Sequence, residues 1–204
     1  AKNNNSVVVY ASSAATYGNL PSPQTPGKEY PENPYGFSKY IMDQIACRFS
    51  KDNPEMVISG LRYFNVYGPN QRFDEYGNVI PLFAFKILNG ESLTVFGDGE
   101  QTRDFVNVRD VAQANLKALQ AKGVSGAFNI ASSTKITINK LVNILVETSG
   151  RSTDVNHGPI RPGDVRHSLA DISAASEAIG YEPSVNIEDG IMEYMSWAKT
   201  EVSQ

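Results

Sequence analysis

Short apolar runs alternate with amphipathic stretches along the whole chain, and that alternation restricts it to an α/β architecture. VVVYASS (residues 7–13), MVISGLRYF (56–64), LTVF (93–96) and AFNIA (127–131) read as buried strands. Between them lie helical patterns. Pro34 suits the first position of a helix, Phe37, Ile41, Ile45 and Phe49 recur every four residues, and Asn53-Pro54 closes the pattern. Residues 79–88 predict a second helix, stopped by Gly90. Val108, Val111, Ala112, Leu116 and Leu119 form a third stripe. Thr137 can cap a fourth helix with Ile138, Leu141, Val142, Leu145 and Val146 inward. Ile187, Ile191, Tyr194, Met195 and Ala198 share one side of the last. Prolines and glycine between residues 18 and 33 predict a loop, as do the polar residues 69–77, and Gly97-Asp98-Gly99 predicts a turn. Strands alternating with helices predict an α/β fold. The loop-rich stretches 68–100 and 150–185 predict a smaller lobe interleaved with it.

The 204 residues suffice for one sizeable core and a satellite lobe. A net charge of −4 offers no surface for nucleic acid or membrane, and no apolar run approaches the roughly 18 residues of a bilayer span. The opening AKNNNS lacks the pattern of a signal peptide. The single cysteine, Cys47, cannot form an internal disulfide, in keeping with a cytoplasmic location, and is expected to be inert and buried or half-buried. His157 and His167 have no cysteine partners, so no metal site is expected, and His167 is read as a surface or loop residue.

Tyr35-Gly36-Phe37-Ser38-Lys39 places a phenol and an ammonium one helical turn apart on one face. The lysine charge stabilises phenolate, which makes Tyr35 a candidate proton acceptor. Ser12-Ser13 end the first strand, and the C-terminal ends of strands carry ligands in open α/β sheets. Ser13 can add a hydroxyl to the same site.

Six segments in order resemble the extended short-chain dehydrogenase/reductase family, in its nucleotide-sugar epimerase branch. They are YASSAATYG (10–18), NPYGFSK (33–39), LRYFNVYGP (61–69), FGDGEQTRDFVNVRDVA (96–112), FNIA (128–131) and RPGDVRHSLAD (161–171), and they cover nearly the whole chain. The resemblance implies the C-terminal part of a Rossmann-type parallel sheet plus a smaller α/β substrate-binding lobe. Residues 1–67 and about 101–131 would be the Rossmann part, with about 68–100 and 132–204 as substrate lobe, all within one domain. It implies NAD as cofactor, a nucleotide sugar as substrate and a homo-oligomer, most simply a dimer. Tyr35 would be the base, Lys39 would hold the nicotinamide ribose, and Ser13 would hydrogen-bond the sugar oxygen. Tyr63, Phe64 and Ser12 would complete the cofactor side. Asn65 would touch diphosphate or sugar, and Asn78 and Val79 would present a helix N-terminus to phosphate. Thr94 and Phe96 would frame the base, Arg103 and Arg161 would grip the diphosphate, and Asp164 would accept from a ribose hydroxyl. Tyr63, Phe64 and Phe96 could instead be core, and Arg103 could pair with Asp104.

Dehydratase and decarboxylase relatives carry an acidic residue just after the serine; here Ala14 and Ala15 stand there, and neither moves a proton. What remains supports reversible hydride transfer, hence epimerisation. The segments at 96–112 and 161–171 resemble UDP-hexose 4-epimerases; those at 10–18 and 61–69, with DGIMEYMSWAK (189–199), resemble ADP-heptose 6-epimerases. In the 4-epimerases the fourth residue after the ribose-binding aspartate borders the sugar's 2-substituent. Here that is Ser168, small enough to admit an N-acetyl group, so UDP-N-acetylhexosamines join UDP-hexoses as expected substrates. A reductase of the same family and a non-catalytic sugar-nucleotide-binding fragment are the other readings. No G-x-x-G-x-x-G or G-x-G-x-x-G turn for a dinucleotide pyrophosphate occurs. The resemblance therefore implies an N-terminally truncated member that alone binds NAD weakly and has little activity, and that needs its exposed sheet edge covered.

Overall fold

A computed structural model describes residues 6–71, 78–161 and 163–202. The centre is a parallel sheet of β1 (Val8–Ser13), β2 (Ile58–Tyr63) and β6 (Gly126–Ile130), in the order β1-β2-β6. Its register sets Ser13 beside Tyr63 and Tyr63 beside Ile130, so all three strands end on one row. That row is where the candidate residues gather. Just beyond it β3 (Asn65–Tyr67) pairs in parallel with β5 (Thr102–Asn107), and β5 pairs antiparallel with β7 (Lys135–Thr137). A separate ladder joins β4 (Leu93–Phe96) to β8 (Val155–Gly158) in parallel.

Six α-helices lie among the described residues: α1 (Pro34–Asp52), α2 (Val79–Asn89), α3 (Val108–Gln120), α4 (Ile138–Ser149), α5 (Ser173–Ile179) and α6 (Ile187–Val202). Their termini follow local chemistry. Asn33 caps α1 by accepting from the Gly36 N–H at 2.8 Å, and Thr137 caps α4 by accepting from Lys140 at 3.1 Å. Gly90 ends α2 in the left-handed conformation (φ 74°), where a Cβ would be strained.

Two apolar cores result. One packs α2, α4 and α6 together with β4, around Ile80, Leu93, Leu141, Leu145 and Tyr194. The other packs β2 and β6 with α3 and α5, around Leu61, Ile130 and Ala114. Each fully buried Leu or Ile contributes about 1.5–3 kcal/mol. A small third cluster of Tyr17, Phe64, Ala131 and Ala170 sits at the row of strand ends.

Several sequence expectations need correction. The stripe Phe37, Ile41, Ile45 and Phe49 does not face the sheet; these side chains are 40–64% exposed, and α1 buries only Gly36 and Asp43. On α3 the inward residues are Asp110, Val111, Ala114 and Ala118, while Val108, Ala112, Leu116 and Leu119 are exposed. The cause is Asp110, drawn inward to accept from the Ser184 N–H (2.9 Å), the Ser184 hydroxyl (2.8 Å) and the Val185 N–H (3.2 Å). Cys47 is exposed, because it lies off the narrow inner stripe of α1. Of the polar loop expected at 69–77, residues 72–77 lie outside the described residues.

Candidate active site

Tyr35 and Lys39 owe their placement to a helix face that is polar. Gly36, Lys39 and Asp43 follow one another at helical spacing along the inner side of α1. At Gly36 a Cβ would stand 2.4 Å from the Ala15 carbonyl oxygen, so only glycine permits this approach. Lys39 Nζ donates to the Ala11 carbonyl oxygen of β1 at 3.0 Å. The same ammonium lies 5.7 Å from the centre of the Tyr35 ring. Tyr35 itself is 57% exposed and borders a cleft.

Opposite stands the end of β1. Ser13 is extended, and its Oγ accepts from the Ala15 N–H at 3.1 Å, capping a short 3-10 turn over Ala14–Tyr17. The Thr16 hydroxyl donates back to the Ser13 carbonyl at 2.9 Å. Ser12 is buried, and its Oγ has no hydrogen-bond partner among the described residues. The Tyr63 hydroxyl donates to Asn115 Oδ1 at 3.1 Å; burial pushes this phenol's pKa up, against that hydrogen bond. Phe64 is buried with its ring centre 6.2 Å from that of Tyr17.

These segments enclose a cleft of about 640 Å³ bordered by Ser12, Ser13, Tyr35, Lys39, Tyr63, Phe64, Asn65, Asn78, Arg103 and Ser168. A second cavity of about 210 Å³ shares Asn65, Asn78 and Arg103 with it and adds Val79, Thr94, Phe96, Arg161 and Asp164. Every candidate residue named from the sequence thus borders one of two adjoining cavities. Asn78 and Val79 bring the start of α2 there, and Asn78 makes no side-chain cap, which leaves backbone N–H groups for an anion. Asn65 Nδ2 donates to the Asp104 carbonyl at 3.0 Å.

Arg103 and Asp164, assigned from the sequence to diphosphate and ribose, are paired with each other. A second Arg103 nitrogen, Nη1, donates to the Thr102 carbonyl at 2.9 Å. The alternative Arg103–Asp104 pairing is not what forms. Asp104 turns inward, accepting from the Ser132 N–H and hydroxyl, both at 2.8 Å, and from the Ala170 N–H at 3.1 Å. Burial raises its pKa despite those bonds. His167 is exposed, and its Nδ1 lies 3.1 Å from the Thr102 hydroxyl.

Sequence reasoning missed a buried polar cluster behind the cleft: Tyr10, Tyr17, Glu29, Asp43, Arg62 and Asn129. One signal could have found it, since Asp43 extends the stripe of Gly36 and Lys39. It also missed Gln24, a buried wall residue whose Oε1 accepts from the Leu169 N–H at 2.9 Å.

The fold is that of a Rossmann-type α/β domain of the short-chain dehydrogenase/reductase type. Residues 1–131 match the NAD dependent epimerase/dehydratase family, and the chain belongs to it. It is similar to a putative UDP-glucose 4-epimerase of Methanocaldococcus jannaschii, 36% identical over 196 residues, covering 94% of this chain and 63% of the relative. Among solved structures it is similar to the UDP-N-acetylglucosamine 4-epimerase of Methanobrevibacter ruminantium in complex with UDP-N-acetylmuramic acid. That TM-score is 0.93 at 36% identity, over 98% of this chain and 65% of the other. It is also similar to the Helicobacter pylori ADP-L-glycero-D-manno-heptose-6-epimerase, with a TM-score of 0.88 at 36% identity, over 97% and 61% of the two chains. The chain therefore spans less than two thirds of the length of each of these three.

Proposed function

We propose that this chain carries the substrate site and the acid–base residues for NAD-dependent epimerisation of a nucleotide sugar, a UDP-hexose or UDP-N-acetylhexosamine at C4. The observation that supports it is the convergence of Tyr35, Lys39 and Ser13 on the cleft that also holds Asn65, Asn78, Arg103 and Ser168. Ser168 and the similarity to 4-epimerases favour this over the ADP-heptose reading. Residues 1–67 and about 101–131 serve as the Rossmann part, and about 68–100 and 132–204 as substrate lobe.

The residues present fit the nicotinamide-ribose end of NAD. Lys39 and Tyr35 stand side by side, and Ser12 Oγ is a buried polar atom without a partner in the same wall. NAD, when bound there, supplies a hydride acceptor that returns the hydride. Tyr35 accepts the proton of the sugar hydroxyl at its phenolic oxygen and gives it back on re-reduction. The Lys39 ammonium stabilises negative charge on that oxygen. Ser13 Oγ keeps its hydroxyl hydrogen free to donate to the same sugar oxygen, because its observed role is as acceptor. Arg103, Arg161 and the start of α2 hold the diphosphate, and Thr94 and Phe96 frame the base. Because Ala14 and Ala15 offer no acid, a leaving hydroxyl goes unprotonated and elimination is not supported.

Phe37, Ile41, Ile45 and Phe49, exposed along α1, support a homodimer, and the lone cysteine supports a cytoplasmic location. No described helix is long and apolar enough to cross a membrane. The test is interconversion of UDP-glucose and UDP-galactose, and of the N-acetylated pair, with and without added NAD, beside calorimetric binding of each sugar nucleotide. Tyr35→Phe is expected to lower turnover by about 10²–10⁴-fold while binding persists. Binding without turnover in the unaltered chain favours a binding fragment; net consumption of reduced cofactor favours a reductase.

A further inference from the structure

Tyr35 and Ser13 sit on separate segments, and α1 has almost no apolar anchor to hold them in register. The tie between them is Arg62. It lies on β2, its side chain is 3% exposed, and it does not border the cleft. Its Nε donates to Asp43 Oδ2 at 2.8 Å, and its Nη1 donates to the Tyr17 hydroxyl at 2.9 Å and to Glu29 Oε1 at 2.5 Å. Each partner belongs to a different segment. Asp43 is on α1, one turn beyond Lys39, and also accepts from the Tyr10 hydroxyl of β1 at 2.9 Å. Tyr17 closes the turn that Ser13 caps, and its hydroxyl donates onward to Asn129 Oδ1 of β6 at 2.6 Å. Glu29 lies in the loop that leads into α1.

We propose that Arg62 is a positioning residue: its planar guanidinium fixes α1 against the Ser13 turn and so sets Tyr35 and Ser13 at one sugar oxygen. The inference rests on the reaction proposed above. A guanidinium suits the task because its donors are held at fixed angles in one plane, and a lysine ammonium cannot reproduce them. The buried cation is paired on both sides, since Glu29 and Asp43 each contact it. The Tyr17 ring also stacks under the guanidinium at 5.2 Å, so the turn is held by its face as well as its hydroxyl.

The test combines turnover with a direct view of Tyr35. The chain is labelled with fluorotyrosine, the Tyr35 fluorine resonance is assigned with Tyr35→Phe, and Arg62→Lys and Tyr17→Phe are compared with the unaltered chain. Arg62→Lys keeps the charge and removes the fork. It is expected to shift the Tyr35 resonance and, with UDP-galactose and NAD, to lower kcat by about a hundredfold with KM unchanged. Tyr17→Phe, which removes one hydroxyl, shifts the same resonance in the same direction and keeps the chain folded should Arg62→Lys lose its melting transition. An unmoved Tyr35 resonance in the folded variants overturns the proposal, as does a rise in KM with kcat intact. Absence of turnover in the unaltered chain overturns its activity as an epimerase on its own, and the Tyr35 resonance then still decides whether Arg62 sets the position of α1.

Discussion

Ser168 belongs to the segment that runs back across the sheet edge, where its N–H donates to the Thr102 carbonyl at 3.1 Å and its side chain borders the cleft. The backbone is tied, so a larger side chain here must occupy cleft volume. Ser168→Tyr is expected to lower turnover of UDP-N-acetylhexosamines by about tenfold or more relative to UDP-hexoses, because only the acetylated sugars need that space. A substrate ratio unchanged between Ser168→Tyr and the unaltered chain would refute this. At this scale the sequence was informative about which residues meet, since the candidates named from motifs all border the two cavities. It was uninformative about how they pair. Arg103 finds Asp164, 61 positions away, rather than its neighbour Asp104, and no local pattern encodes that distance.

Among the elements, α1 shows how far sequence pattern reaches. Its start was legible in Pro34, because the preference of proline for the first helical position is local. Its orientation was not, because an apolar stripe ordinarily faces the core and this one is exposed. The true inner face reads Gly36, Lys39, Asp43. Gly36→Ala puts a methyl group against the Ala15 carbonyl, so it is expected to destabilise the fold by about 1–3 kcal/mol and to lower turnover by moving Tyr35 off the cleft. Thermal melting and kcat measured together check this; an unshifted melting temperature would contradict the contact. β5 escaped notice for a related reason. TRDFVN mixes Arg, Asp and Asn into a buried strand, and Asp104 is tolerated there only because Ser132 and Ala170 supply donors from elsewhere. β7, β8 and α5 are short, and short elements carry too few repeats of a pattern to be distinguished from loop.

For the whole molecule, the Arg62 cluster makes stability depend on pH in a definite direction. Burial pushes the Glu29 carboxyl up, but the Gly27 N–H and the Arg62 guanidinium outweigh it and hold the pKa below its ordinary 4.5. A carboxylate held low in the folded chain stabilises it above the unfolded value. That contribution is lost as pH falls below 4.5 and through the lower folded value. Glu29→Gln is therefore expected to flatten the acid limb of the stability curve between pH 4.5 and the lower folded value, as followed by denaturant unfolding at stepped pH. An acid limb as steep as in the unaltered chain would show that Glu29 is not a source of the loss.

The polar inner face of α1 has a further consequence. Lifting this helix from the sheet uncovers little apolar surface, so its release carries a small heat-capacity change and a shallow dependence on urea. The α2–α4–α6 core, which buries much apolar surface, is by contrast expected to melt with a steep one. Amide exchange along α1 should therefore be nearly indifferent to urea at concentrations that accelerate exchange in the core. The helix that carries Tyr35 is then expected to open separately from that core, its release limited by parting the buried Arg62–Asp43 pair rather than by the solvent's affinity for hydrocarbon.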